Sequence, residues 1–357
     1  MTSLTILEPW DGDILTRHDG VETDEGLEIV LNGTATPGVP VTVNGVGASR
    51  WGGSFQAPVV LRDRETRVEV TAGDETEEIT LLYVRNSRPR FRFSLDDNIL
   101  FLRDIARGDY ASLFDHWYLG FLREMHEEFG AKVHINIYYE TQGFDLTQFP
   151  DRYRDEWQAS ADWLRLTFHA RQNEPAWPYE NATYDEMARD YELVTNEVRR
   201  FAGEELLSTF TTVHWARAPR EACRALRDRG IQGLIGLFSW RSQEPPRTIY
   251  YLDDDTARHV VKRDAWMDTV EGLTFVVCDC VLNNYPLDGI VPHLEQVAES
   301  PHTSEMMELL IHEQYFREEL PNYQPDARQK VRTALRWVTD RGYEPVFWGN
   351  GYLGLEG

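Results

Sequence analysis

From residue 24 to residue 85 apolar and polar positions alternate with a period of two, as in GLEIVLNGTATPGVPVTVNG and TRVEVTAGDETEEITLLYV. Successive side chains of a strand point to opposite faces, so this alternation predicts half-buried strands. Gly, Pro and Asn-Gly punctuate the run, and no helical period interrupts it. Short strands at such spacing predict a small antiparallel sandwich over residues 1–88. The segment RNSRPR at 85–90 reads as a linker.

Beyond it the pattern changes, and apolar runs alternate with helical periods. FRFSLDD (91–97), AKVHINIYY (131–139), WLRLTFHA (163–170), STFTTVHWA (208–216), IQGLIGLF (231–238) and LTFVVCDCVL (273–282) read as strands. MELLIHEQYF (307–316) and EPVFW (344–348) follow in the same style. Helical patterns lie between them at 111–130, 151–162, 219–229 and 325–340. A further helix over 184–203 has Thr183 at its N-cap, Glu186 three residues on and Gly203 past its end. The segment 247–275 reads as hairpin. Strand–helix alternation over residues 89–357 predicts a parallel sheet, and this many units favour a distorted (β/α)7-type barrel. No glycine-rich phosphate loop follows any strand, which leaves a nucleotide-binding reading without an anchor.

Composition narrows the partners. The 357 residues are 41% hydrophobic, enough for a core. The formal charge of −24 argues against nucleic acid or an anionic membrane as a partner. No apolar run is long enough to span a bilayer. The N-terminal MTSLTILEPWDGD lacks a basic region followed by an apolar stretch, so no signal peptide is expected and the cytoplasm is the default compartment. Basic residues are nearly all arginine, with Lys132, Lys262 and Lys330 the only lysines. Both a high-salt habitat and a GC-rich genome produce that bias. The cysteines Cys223, Cys278 and Cys280 are odd in number and lie in apolar surroundings, which predicts buried reduced thiols.

In a parallel barrel the C-terminal strand ends gather on one face, where chemistry sits. The polar residues at those ends are Asp96 and Asp97, Tyr138 and Glu140, His169, His214, Asp279 and His312. Adjacent buried carboxylates need a compensating partner. Two imidazoles and one carboxylate suit a d-block ion better than calcium or magnesium. Trp177, Tyr179, Trp215, Trp240 and Trp348 lie near strand ends and are candidates for stacking on sugar faces, beside Tyr138 and Glu140 as substrate contacts. His116, His126, His259, His293 and His302 read as solvated, and His134 as packed in a strand.

The series SLDD, TFHA, TVHWA and LLIHEQ resembles the polysaccharide deacetylase family with the NodB-type domain, and the match runs in order over about 91–348. The resemblance implies a (β/α) barrel of the deacetylase type, Asp96 as general base, Asp97 and His169 as metal ligands and His312 as general acid. In the family the second motif carries another histidine. Asn173 stands at that position here, and His214 occupies the region where the family places an Arg-Pro strand end. The ligand set this suggests is Asp97, His169 and His214, with Asn173 as a weak ligand or a neighbouring donor, around a divalent ion, foremost Zn²⁺. Residues 24–85 resemble the bacterial immunoglobulin-like modules that accompany carbohydrate-active enzymes.

The activity implied is metal-dependent hydrolysis of acyl or amide groups on a carbohydrate or another small acylated substrate. Two other readings stay open. A glycoside hydrolase-type barrel would pair Asp96 with Glu140 or Asp279. A carbohydrate-binding barrel without catalysis would have lost part of its metal shell at Asn173. A homo-oligomer mediated by the N-terminal module is compatible with either.

Overall fold

Two sheets in the first part of the chain share one hydrophobic core. The computed structural model describes residues 4–236 and 249–355, and contacts divide it into two units. One is formed by Met1–Arg88 with Ala265–Thr274, the other by Pro89–Asp264 with Phe275–Glu356.

In the first unit one sheet runs in the order Thr5–Glu8, Gly26–Thr34, Ser54–Leu61, Ser49–Trp51, with Val21–Thr23 also on Gly26–Thr34. The other runs Ile14–Leu15, Glu75–Tyr83, Glu65–Ala72, Val41–Val43, Val46–Gly47. The period-two pattern is the cause. Leu27, Ile29 and Leu31 from one sheet and Val68, Val70 and Leu81 from the other point into the same core, while Glu28, Val30, Arg67 and Glu69 face away. Asn44 and Gly45 both have positive φ, 48° and 76°, the backbone a two-residue hairpin requires between Val41–Val43 and Val46–Gly47.

The second unit is mixed α/β. Its central strand β1 (Arg90–Asn98) is buried almost throughout, as strands covered on both faces are. On one side lie β2 (Val133–Tyr138) and then β3 (Leu164–Ala170), on the other β4 (Met306–His312) and the short Cys280–Val281. All of these pairings are parallel. Phe210–Thr211 and Gly233–Gly236 pair in parallel in a separate short sheet. A single bridge, Leu166 to Leu207, touches the chain just before it. The strands thus lie in separate sheets, and a continuous ring of strand pairing is not formed among the described residues.

Helices α1 (Leu100–Arg107), α2 (Trp117–Phe129), α3 (Tyr184–Phe201), α4 (Arg220–Arg227), α5 (Asp254–Arg263), α6 (Ile290–Val297) and α7 (Ala327–Asp340) lie between and after the strands, α1 and α2 both between β1 and β2. The capping box read at Thr183 and Glu186 is formed, and Gly130 ends α2 at φ 65°. The pattern over 111–130 is shorter than expected: a 3₁₀ turn at Leu113–Asp115 precedes α2. His116, read as solvated, is buried and caps α2 by accepting the Tyr118 N–H. In 247–275 the expected hairpin is replaced over Asp254–Arg263 by α5, whose N-cap Asp253 accepts the Thr256 N–H. Residues 247 and 248 lie outside the described residues. His259, within the expected hairpin, stands on α5, and His293 stands on α6. The three cysteines are buried and form no disulfide. No described helix is long and apolar enough to cross a membrane.

Candidate metal centre

The strand pairings carry irregularities where the chemistry sits. Against β2, β1 pairs Leu95 with Ile135 but next Asn98 with Ile137, so Asp96 and Asp97 lie in a bulge. Asp97 takes φ 61°, a left-handed backbone uncommon outside glycine. Between β2 and β3, Ile137 pairs with Phe168 and Tyr138 with Ala170, which leaves His169 as the extra residue. Bulges re-aim side chains, and here they bring Asp97 and His169 together. His214 comes from the 3₁₀ turn His214–Ala216 after Phe210–Thr211, where Trp215 has φ 66°.

The three side chains converge. His169 Nε2 lies 3.1 Å and His214 Nδ1 3.2 Å from Asp97 Oδ1. The two imidazole nitrogens are 3.1 Å apart. Donor atoms around a tetrahedral ion with bonds of about 2.0–2.1 Å stand about 3.3 Å from one another, so this set fits an ion of that size. Asp97, His169 and His214 are also the one His/Cys/Asp/Glu group among the described residues with such geometry.

The hydrogen bonding asks for a cation as well. His169 Nδ1 faces the carbonyl of Thr212 and must carry the proton there. In a neutral ring Nε2 then presents its lone pair to the Asp97 carboxylate, an arrangement that is repulsive unless a proton or a metal ion lies between. A ring N–H held by a backbone carbonyl is how metal-bound histidines are oriented. The electrostatics agree. Burial would push the Asp97 carboxyl up, but His169 and His214 with the nearby His312 hold it well below the usual carboxylate range. Burial would lower His169, yet Asp96 and Asp97 raise it. For His214 burial prevails and lowers it.

Asp96 and His312 are direct register partners on β1 and β4. Asn136 Nδ2 donates to Asp96 Oδ1 at 2.5 Å, and His312 Nδ1 lies 2.8 Å from Asn283 Oδ1. Gln314 Nε2 donates to Asp97 Oδ2 at 2.8 Å. Glu313, fully buried, accepts the backbone N–H groups of Ile99, Leu100 and Phe101 and so anchors the first turn of α1 behind the bulge. Arg317 pairs with the same carboxylate at 2.8 Å. Asn136, Glu313 and Gln314 were not singled out in the sequence. The only trace was the EQ dipeptide directly after His312.

Two cavities meet at Asp97. One of about 430 Å³ is lined by Asp96, His169, His214, Asn283 and His312. The other, of about 440 Å³, is lined by Tyr138, Glu140, Asn173, Gln314 and Asn322. Asn173 is exposed and approaches the Tyr138 hydroxyl at 3.2 Å. The ring of Tyr138 borders the cavity, but its hydroxyl lies inside the Asp97 cluster. Glu140 is held by Arg171 at 2.7 Å. Trp177 and Trp215 stand exposed, 40% and 47%, in an edge-to-face pair 6.4 Å apart. Trp240 lies outside the described residues. Tyr179 is buried and donates to Asp190 at 3.2 Å, and Trp348 lines neither cavity. That indole is buried and donates to Glu308 at 2.9 Å. Asp279, read at a strand end, is half-buried, and its carboxylate accepts the Glu308 N–H at 2.7 Å.

No family model and no curated protein matches the chain. Among solved structures, a CE4 family pseudoenzyme from Bacillus anthracis aligns at 8% identity and TM-score 0.35, over 74% of this chain and 66% of that one. A putative polysaccharide deacetylase from Mycobacterium smegmatis aligns at 12% and 0.38, over 72% and 93%. A 4-alpha-glucanotransferase from Thermococcus litoralis aligns at 12% and 0.44, over 73% and 40%. At these scores the likenesses carry nothing about activity.

Proposed function

We propose that the protein is a metal-dependent hydrolase of acyl or amide groups, acting on a carbohydrate or a similar acylated substrate. The observation that carries this reading is the His169 ring, whose Nδ1 is committed to the Thr212 carbonyl while Nε2 meets Asp97 and His214. Asp97, His169 and His214 would hold the ion. When bound, Zn²⁺ supplies Lewis-acid polarisation of an acyl carbonyl and acidifies water.

The chain's own residues divide the proton work. Asp96, steadied by Asn136, takes the proton of the attacking water. His312 commits Nδ1 to Asn283, which leaves Nε2 to deliver a proton to the leaving amine or alcohol. Trp177 and Trp215 offer apolar faces for a sugar ring. The two cavities on either side of Asp97 give room for the acyl group and for the remainder of the substrate. Glycoside cleavage is the weaker reading, since Asp279 is held by the Glu308 N–H and lines neither cavity, and Glu140 is tied to Arg171. For residues 1–88 we propose an immunoglobulin-like module, which the two sheets around one core support.

The test is metal analysis of purified wild type beside His169→Ala and His214→Ala, followed by an acetyl-ester and acetyl-amide release assay with and without chelator. One equivalent of metal in the wild type, its loss in both variants and chelator-sensitive release are expected. A metal-free wild type after exposure to zinc, or release that survives chelation, would overturn the reading.

A further inference from the structure

Tyr138 ends β2 opposite the bulge that holds His169. Its side chain is buried, 2% exposed, with its ring 5.3 Å from the rings of both His169 and His214, centroid to centroid. The hydroxyl forms a short contact with Asp97 Oδ1, the same oxygen that faces both imidazoles. It also lies 3.1 Å from His214 Nδ1 and 3.2 Å from Asn173 Oδ1.

One hydroxyl proton cannot serve these neighbours. Asp97 Oδ1 and an unprotonated His214 Nδ1 are both acceptors, and a phenol has a single hydrogen to give. The position of the oxygen suggests another use. Asp97 Oδ1, His169 Nε2, His214 Nδ1 and Tyr138 Oη are linked by five contacts no longer than 3.2 Å. Asp97 Oδ1 and His214 Nδ1 each touch the other three atoms, so the four cluster closely enough to share one ion.

Resting on the metal-site reading above, we infer that Tyr138 Oη is the fourth protein donor to the ion, in a site of one carboxylate, two imidazoles and one phenol oxygen. Asn173 then acts through Tyr138. Its amide oxygen and nitrogen exchange places by a half-turn, which brings an N–H toward the phenol oxygen and leaves Asn173 outside the ligand set.

The inference is tested with the full chain stripped by chelator and reloaded with Fe(III), a probe that gives a visible charge-transfer band when a phenol oxygen binds it. Wild type should take up one equivalent and show the band, a reading that needs no variant. Tyr138→Phe should still bind metal but lose the band, while Tyr315→Phe, a tyrosine of the neighbouring cavity, should keep it. Zinc affinity should fall in Tyr138→Phe by at least the roughly tenfold to hundredfold that follows loss of a supporting partner. Bound metal in wild type without the band, or a band that survives Tyr138→Phe, overturns the inference and leaves the three-residue site standing. No metal uptake by wild type overturns both.

Discussion

Strand β1 passes through two buried polar clusters, and they are built on opposite principles. At its start Arg92 pairs with Glu308 at 2.6 Å, both side chains wholly buried. Ser94 Oγ donates to the same carboxylate oxygen at 2.8 Å and Trp348 Nε1 to the other at 2.9 Å. Arg92 Nε also donates to His134 Nδ1 at 3.1 Å. The charge of Glu308 is matched inside the protein. At the end of the strand Asp97 meets two imidazoles and a phenol, and no Arg or Lys is among its hydrogen-bond or ion-pair partners. A buried carboxylate that already has its guanidinium is structural. One that faces nitrogen lone pairs is short of a cation, and that shortage is the mark of a binding site.

The contrast is open to experiment. Asp96→Asn should strike the chemistry alone, lowering kcat about 10²–10⁴-fold as loss of a general base does, with metal content and melting temperature unchanged. Steady-state kinetics beside metal analysis checks it, and a variant that also loses its metal would blur the boundary between base and ligand.

Arg92→Leu should do the reverse. Stranding Glu308 costs about 3–5 kcal/mol of stability, read by denaturant unfolding, with one equivalent of metal still bound to the folded fraction. Adding Glu308→Leu should recover much of that loss. Failure to recover would mean that the lower cluster does more than fill the interior.

The smallest effect concerns Asp279, beside the lower cluster. Burial, with Glu308 nearby, pushes its carboxyl well above the usual range. A carboxyl that is harder to ionise folded than unfolded favours folding below the ordinary carboxylate pKa, near 4. That stability is lost as pH rises toward the folded value. Asp279→Asn cannot ionise and its amide oxygen can still accept the Glu308 N–H. It should therefore melt higher than wild type at neutral pH, by roughly 2–4 °C for each 1 kcal/mol, and the advantage should vanish in acid. An advantage that grows as pH falls would show that the carboxylate, not the acid, is the folded form.

Much of the site was legible because its residues end predicted strands. Asp96, Asp97, His169, His214 and His312 were found that way. The partners that make them a site were not. Asn136 reads as an ordinary strand residue until β1 bulges beside it, and Glu313 reads as surface charge until it meets three backbone N–H groups of α1. Trp348 was misread because an indole near a strand end looks the same whether it faces a cavity or a buried carboxylate. Helix α5 was missed because His259, Val260 and Val261 suit a strand, and its start depends on one side-chain cap at Asp253.

What the sequence determined by itself is the division into an alternating β region and a strand–helix region, together with the set of acidic and imidazole groups. Periodicity and strand ends are local properties, set by which face of each element a residue occupies. The tertiary structure alone decided which nitrogen meets which oxygen. Two bulges shift Asp97 and His169 out of register, and a residue displaced by one place in a strand changes the face it serves. Whether a buried carboxylate finds a guanidinium or a ring of lone pairs follows from that displacement, because charge compensation depends on distances between segments that are far apart in the chain.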